Sequence, residues 1–475
     1  MNQGDRVAVV EGGPRVALFA SGLVILFSRR TGRAKMYIHR VILRDVKSFE
    51  NLELRFDRKE QSGAKIYSGW NVLTGDNSAG KTTVLKAIAL ALVGPDVARA
   101  LQPSFNGWIR EGSEDASIAV QIFGGDEDKF TTGRPPLEPF YAEISLEKRG
   151  GEVYPVAGNE YVKKKKSALN GPWAIGQGAW FAVAYGPFRR LYGTSTEAMR
   201  LMSAPGRPPR FATLFKEDAT LGEGQTWLKE LQFKSLELKD KERGLLKDVL
   251  DILDADFLRH GLRVERVDSE GLWLRNELGM VLPLSDMSDG YRSSLALLID
   301  ILRHLADVFP GVPLIAKDEG GDPYVAHAGV VLIDEVDAHL HPEWQRQLGF
   351  WLKKHFPNVQ FIVSSHSAFV CQAADDLGVY YLGGSEGATT SNRVNEEQWK
   401  EIVSGTADEV LRSVAFGLKH TRSPKAVDAR REWSHLKAKM SRLGLNQDEE
   451  TRMIQLSLFV DSGEDKECVD MFESR

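Results

Sequence analysis

The sequence predicts an α/β fold with a mixed sheet built around a phosphate-binding loop. Trp70-Asn71-Val72-Leu73 is a short apolar strand, Gly75 to Thr82 spells G-x-x-x-x-G-K-T, and Val84 to Leu92 is an apolar helical run closed by Gly94-Pro95. Far downstream, Val330 to Ile333 and Val359 to Val363 are two further buried-type strands, each ending in polar groups. A strand that hides its middle presents its C-terminal end, so the chemistry is expected at the strand ends.

The first of these elements is a helix N-terminus. Its bare glycines let successive backbone N–H groups curl around an anion, which the positive end of the helix dipole also favours. Gly75, Asp76, Asn77, Ser78, Ala79, Gly80, Lys81 and Thr82 are therefore the expected nucleotide-binding residues, with Thr83 as a helper. Lys81 is expected to reach the β and γ phosphates as a point charge, and the Thr82 hydroxyl to take one position around Mg2+. ATP and Mg2+ are the expected ligands.

In the downstream half, Val330-Val331-Leu332-Ile333-Asp334-Glu335 is a Walker B pattern. Asp334 is expected to hold Mg2+, and Glu335 to orient and deprotonate the attacking water. Strand alternation would point their side chains in opposite directions. The strand Val359 to Ser365 ends in His366, placed to contact the γ phosphate. Upstream of both, Leu284 to Arg292 precedes a helix whose apolar face reads Leu295, Leu298, Ile299, Leu302 and Leu305. Ser288 and Gly290 open that helix, a second N-terminus suited to an anion. The first loop already serves the local phosphates, so Ser288 and Gly290 are expected to bind the nucleotide of another copy. The blander reading is a capped core helix with Asp289 offsetting the dipole.

P-loop, Ser-Asp-Gly signature, Asp-Glu strand and histidine, in this order, resemble the ABC-type ATPase head shared by SMC, RecF and OLD-like proteins. The resemblance covers residues 36–95 and 280–385. Within it, Val330 to Pro342 and Phe361 to Ser367 look most like the OLD-type and allied bacterial defence ATPases, among them the Septu ATPase subunit. It implies an ATPase of an antiphage defence complex, pairing of heads into a homo-oligomer, and a separately encoded nuclease partner, such as an HNH-type enzyme. A RecF-like repair ATPase that binds DNA, and a scaffold that holds ATP without turnover, are the competing functions. The chain departs from the pattern where SMC heads place a D-loop aspartate: that position is His341, which leaves Asp337, His339 or His341 for the role. His339 and His341 could also pair on a metal, but no third ligand is evident. For the Q-loop, Gln121 and Gln177 are the candidates.

Bulk properties fit this setting. The chain has 475 residues, 42% apolar, and a net charge of -5, so nucleic-acid contact would need a local patch. Two cysteines, Cys371 and Cys468, without metal spacing, suit a reducing, cytoplasmic location with no membrane contact. Val16 to Phe27 is apolar, but at about 12 residues it falls short of the ~20 of a spanning helix. Residues 1–35 are expected to be an extension outside the fold, the product of a mis-assigned start, with Met36 beginning the first strand of the domain.

Residues 36–385 are expected to form the ATPase, with an α+β lobe inserted at about 96–280 and a helical tail at 386–475. Within the lobe, residues 223–260 read as a charged helical stretch, which would span about 55 Å if unbroken. Trp180 to Gly186 reads as a lobe strand leading to Arg189 and Arg190, which face nucleotide or DNA or serve the structure. Lys163 to Lys166 is either a phosphate-backbone contact or a solvated loop. The tail carries no Toprim-like acidic set, and its helices at 395–412 and 424–443 and its apolar stretch Met453 to Val460 are candidates for docking an effector.

Overall fold

The computed structural model describes residues 35–59, 65–67, 69–132, 135–136, 138–158, 166–174, 180–191, 193–237, 239–258, 261–383 and 392–457. The apolar stretch Val16 to Phe27, Gln177 and Lys163 to Lys165 lie outside them.

Along the chain, β1 (Tyr37–Val46) and β2 (Phe49–Arg55) form a hairpin, and β3 (Trp70–Thr74) leads through the glycine loop into α1 (Lys81–Val93). Next come β4 (Asp115–Phe123), β5 (Phe140–Arg149), β6 (Glu152–Ala157) and β7 (Ala182–Tyr185). Two helices, α2 (Gly222–Leu236) and α3 (Asp240–Leu253), precede a small sheet of β8 (Arg263–Asp268), β9 (Gly271–Arg275) and β10 (Val281–Pro283). Helix α4 (Asp289–Val308) follows, then β11 (Gly329–Ile333), α5 (Pro342–His355), β12 (Val359–Ser364), β13 (Val379–Tyr381) and β14 (Asn392–Arg393). The chain continues through α6 (Glu396–Ser404) and α7 (Ala407–Arg412) to a hairpin of α8 (Pro424–Leu443) and α9 (Gln447–Ser457). None of the described helices is long and apolar enough to cross a membrane.

Two sheets organise the fold. The central one runs β14-β13-β3-β12-β11-β7 and is parallel except at the β14 edge. The other, β2-β1-β4-β5-β6, is antiparallel. Every residue of β3, β7, β11 and β12 is buried, as expected of parallel strands covered on both faces. Alternation sorts them: Trp70, Val72, Val331, Ile333, Phe361 and Val363 join the core that holds α4 and α5, while Leu73, Val330, Leu332 and Ile362 join the core that holds α1 and the antiparallel sheet.

The stretch expected as one inserted lobe at 96–280 is divided among three places. Strands β4 to β6 extend the sheet begun by β1, β7 is the edge strand of the central sheet beside β11, and only the segment from α2 to β10 stands against the outer face of α4. The helical stretch expected at 223–260 is helical but not unbroken: it is two helices, with a break between Leu236 and Asp240. In place of a 55 Å rod they pack on each other and bury Leu228, Leu231, Leu246 and Val249 against α4.

Charge is buried where this segment meets the central sheet. Asp300 on α4 accepts from the Tyr185 hydroxyl at the end of β7 (3.0 Å) and from Arg303 (2.8 Å), and Arg303 in turn donates to Glu223 of α2 (3.1 Å). Burial alone would raise the Asp300 pKa, but His304 and Arg303 overcome it and hold the carboxyl well below the usual carboxylate range. Removing one partner leaves the others buried and uncompensated, so Asp300→Ala is expected to cost about 3–5 kcal/mol of stability. Because the folded value is depressed, that contribution is fully present above the unfolded value of about 3.9 and is lost as pH falls below it. Urea unfolding of both proteins at pH 7 and at pH 3.5 checks this: the gap should be large at the first pH and narrower at the second.

Candidate functional site

The site lies along the carboxyl ends of the central strands, where β3, β7, β11 and β12 each release a loop. In the loop after β3, Gly75 (φ 135°), Ser78 (φ 71°) and Gly80 (φ 91°) all have positive φ. A Cβ on Gly75 would lie 2.1 Å from the Leu382 carbonyl, so glycine there is required by space as well as by conformation. Asp76, Asn77 and Ser78 are exposed, and Ala79, Gly80 and Thr83 are half-buried. The loop thus presents its backbone outward at the start of α1. Lys81 is buried and folds back to donate from Nζ to the carbonyls of Gly75 (2.8 Å) and Asp76 (3.0 Å). Burial lowers its pKa, and Asp334, Glu335, Asp76 and Asp337 oppose that shift.

Strand pairing brings the distant half to the same place. Ile333 pairs in register with Val363, so the residues that follow, Asp334 and Ser364, are neighbours. The Thr82 hydroxyl donates to Asp334 Oδ2 (2.7 Å), the Ser364 hydroxyl donates to Asp334 Oδ1 (2.5 Å), and the Glu335 N–H donates to Ser364 Oγ (2.7 Å). Four residues, from the start of α1, the turn after β11 and the end of β12, thereby form one connected set. Asp334 is buried while the Glu335 side chain is exposed. Their divergence does not come from strand alternation, since β11 ends at Ile333 and Glu335 sits in a turn with φ 45°.

Behind this turn the guanidinium of Arg189 is buried and donates to backbone carbonyls of the segment 334–338. Of the readings open to Arg189, the structural one is what the geometry shows. Arg190 instead lies over the Phe188 ring. Asp337 accepts from Ser365 (2.6 Å), and the Ser367 hydroxyl donates to Gln345, whose amide donates to the Leu340 carbonyl (2.9 Å). His341 caps α5, its Nδ1 accepting from the Glu343 N–H, and His339 is exposed with φ 65°. Among the described residues no group of three or more His, Cys, Asp or Glu is placed to hold a metal. His366 is exposed at the same carboxyl end of the sheet, two residues past β12. Gln121 lies within β4, paired with Arg40 and Tyr141 in the antiparallel sheet.

Ser288 and Gly290 stand at the start of α4. Ser288 is the N-cap residue of α4, yet its side chain makes no capping bond and is exposed. Gly290 packs against the loop that leaves β11, where a Cβ would stand 3.1 Å from the His339 carbonyl. A cleft of about 360 Å³ opens beside this helix end, lined in part by Arg190, Asp289, Arg292 and His339.

Residues 208–372 match the family described as "AAA domain, putative AbiEii toxin, Type IV TA system", and residues 40–170 match a second family, "AAA domain". Septu protein PtuA of Bacillus mycoides is 24% identical over 335 residues, 70% of this chain and 38% of that protein. Two stretches of the chain thus match AAA-type ATPase domain families. The chain is also 31% identical to Septu protein PtuA of Bacillus thuringiensis over 143 residues (30% of this chain, 34% of that protein). It is 40% identical to the retron Ec83 probable ATPase of Escherichia coli over 101 residues (21% and 17%). The head thus spans well under half the length of each of these relatives. A solved SMC head bound to the C-winged helix domain of ScpA covers 75% of this chain and 96% of its own at 16% identity, with a TM-score of 0.43.

Ser364 is the site residue that sequence reasoning passed over. Its signal was available: in parallel strands of matching length, the residue after one Walker B strand and the last residue of its neighbour come side by side.

Proposed function

We propose that this head binds and hydrolyses ATP with Mg2+, as one subunit of a bacterial antiphage defence complex whose paired heads regulate a separately encoded nuclease. The observation that carries the chemistry is the connected set Thr82, Asp334, Ser364 and Glu335, with Lys81 at the loop beside it. Thr82 Oγ1 and Asp334 Oδ2, 2.7 Å apart, are both hard oxygen donors, the kind that Mg2+ takes. When bound there, Mg2+ would neutralise charge on the phosphate oxygens.

The remaining work falls to the chain's own groups. Backbone N–H groups of Gly75 to Thr83 grip the phosphates, and Lys81 adds a positive charge to the terminal two. Glu335, exposed and fixed at its backbone by Ser364, takes the proton of the attacking water. His366 approaches the γ phosphate from the end of β12. Ser288 and Gly290 close the site from a second copy, consistent with a hydroxyl that caps nothing in its own chain. Residues 36–385 act as the ATPase unit, and the helices from α6 onward dock the effector.

The defence reading draws on the Septu and retron relatives. Bacteria carrying the locus that encodes this chain are expected to lower phage plaque counts, and Lys81→Ala in the same locus to restore them. Equal plaque counts with the wild-type and Lys81→Ala loci would sink the defence role while leaving the ATPase chemistry to be judged on the purified protein.

A further inference from the structure

We propose that Arg189 is a positioning residue for ATP hydrolysis, holding the turn that aims Glu335; the inference rests on Glu335 as the base. The sequence brings it there because Tyr185 ends β7 beside Ile333 of β11, and Pro187 cannot continue the ladder. The chain must leave the sheet at this point, so Phe188 to Leu191 pass next to the loop that leaves β11.

That loop is conformationally costly. Glu335 (φ 45°) and His339 (φ 65°) both adopt the left-handed region without being glycine, and such backbone persists only where the surroundings over-determine it. On one side Ser364 does so, through the Glu335 N–H (2.7 Å) and through its own carbonyl, which accepts from the Val336 N–H (3.0 Å). On the other side is Arg189. Its Nη2 donates to the carbonyls of Glu335 (3.0 Å) and Ala338 (3.2 Å), with a longer approach to Val336 (3.4 Å), while Nη1 reaches the Asp334 carbonyl (3.4 Å). Carbonyls that converge in a tight turn repel one another, and a planar cation with several fixed donors is the side chain suited to gather them.

The surroundings are consistent with this role. Arg189 is only 6% exposed, so bulk water cannot replace it at these carbonyls. Among the described residues its side-chain hydrogen bonds all go to carbonyls of the turn. Burial pushes the guanidinium down to about 10, opposed by Asp337, Asp334 and Glu335, which leaves it charged at neutral pH. Arg190 lines the cleft at the α4 end together with His339, so the same short segment borders both the Glu335 turn and the helix that carries Ser288.

The test is Arg189→Lys, which keeps the charge and loses the fork. Steady-state ATP hydrolysis, titration with a non-hydrolysable ATP analogue and urea unfolding are measured on the same protein. The expected result is a kcat lower by at least about tenfold, with KM and analogue affinity within about twofold of wild type. In a Glu335→Gln background the same change should cost nothing further, because the two residues act as a unit. Wild-type kcat in Arg189→Lys would overturn the proposal, and so would a fall in analogue affinity that matches the fall in kcat. If Arg189→Lys does not unfold cooperatively, Arg189→Gln is assayed in the same way, and failure of both to fold would make the arginine a folding residue only. A wild-type chain without Glu335-dependent hydrolysis would instead remove the assignment of the base, a result separable from all of these.

Discussion

Glu335→Gln is expected to keep ATP binding and to slow hydrolysis by about 10²–10⁴-fold, the range a positioned general base contributes. The substitution is nearly isosteric, and the folded structure asks little of this side chain: Glu335 is exposed, and its prescribed contacts are made by its backbone, to Ser364 and Arg189. Stability and nucleotide affinity should therefore stay close to wild type. What changes is the capacity to take a proton, since an amide has no basic lone pair at neutral pH. Phosphate release under saturating ATP, alongside titration with a fluorescent nucleotide, separates the two effects. Undiminished release in Glu335→Gln would show that the base lies elsewhere.

Lys81→Ala is expected to act at the earlier step and to weaken ATP binding by about 10²–10³-fold, corresponding to the loss of one or two charge-assisted hydrogen bonds at about 1.5–3 kcal/mol each. Two effects combine. The ammonium that would face the terminal phosphates is removed, and so are its bonds to the Gly75 and Asp76 carbonyls, which tie the loop at its entry. Thr82, Asp334 and Ser364 do not depend on Lys81 for their mutual bonds, so the rest of the site should persist. Equilibrium titration of both proteins with the same nucleotide, at equal Mg2+, checks the prediction, and an affinity within a few fold of wild type would contradict it.

Local pattern explains which parts of this arrangement can be read without coordinates. The glycine loop is legible because its backbone demands are met by residue type: Gly75 has φ 135° and no room for a side chain. The Walker B and β12 strands are legible because burial on both faces writes a continuous apolar run. Residues 115–157 are not, because alternation announces strands without naming their partners. Val120 pairs with Val41 across almost 80 residues of chain, and that choice is made by packing in the finished core. The break between α2 and α3 escapes a reading of helix formers, since the polar residues flanking it suit a helix on either side. Glu335 and Arg189 escape for a related reason. The positive φ of one and the carbonyl contacts of the other belong to a turn fixed by segments about 150 residues apart.

The central claim is that one triphosphate is held by Lys81 of one copy and Ser288 of another, and a mixing experiment tests it most directly. Ser288→Arg and Lys81→Ala are each expected to be inactive alone. In a paired assembly, a mixed pair has one site with both residues intact and one with neither, so equimolar mixing should restore about a quarter of wild-type hydrolysis. Wild-type turnover by Ser288→Arg alone, with no gain on mixing, would contradict the account.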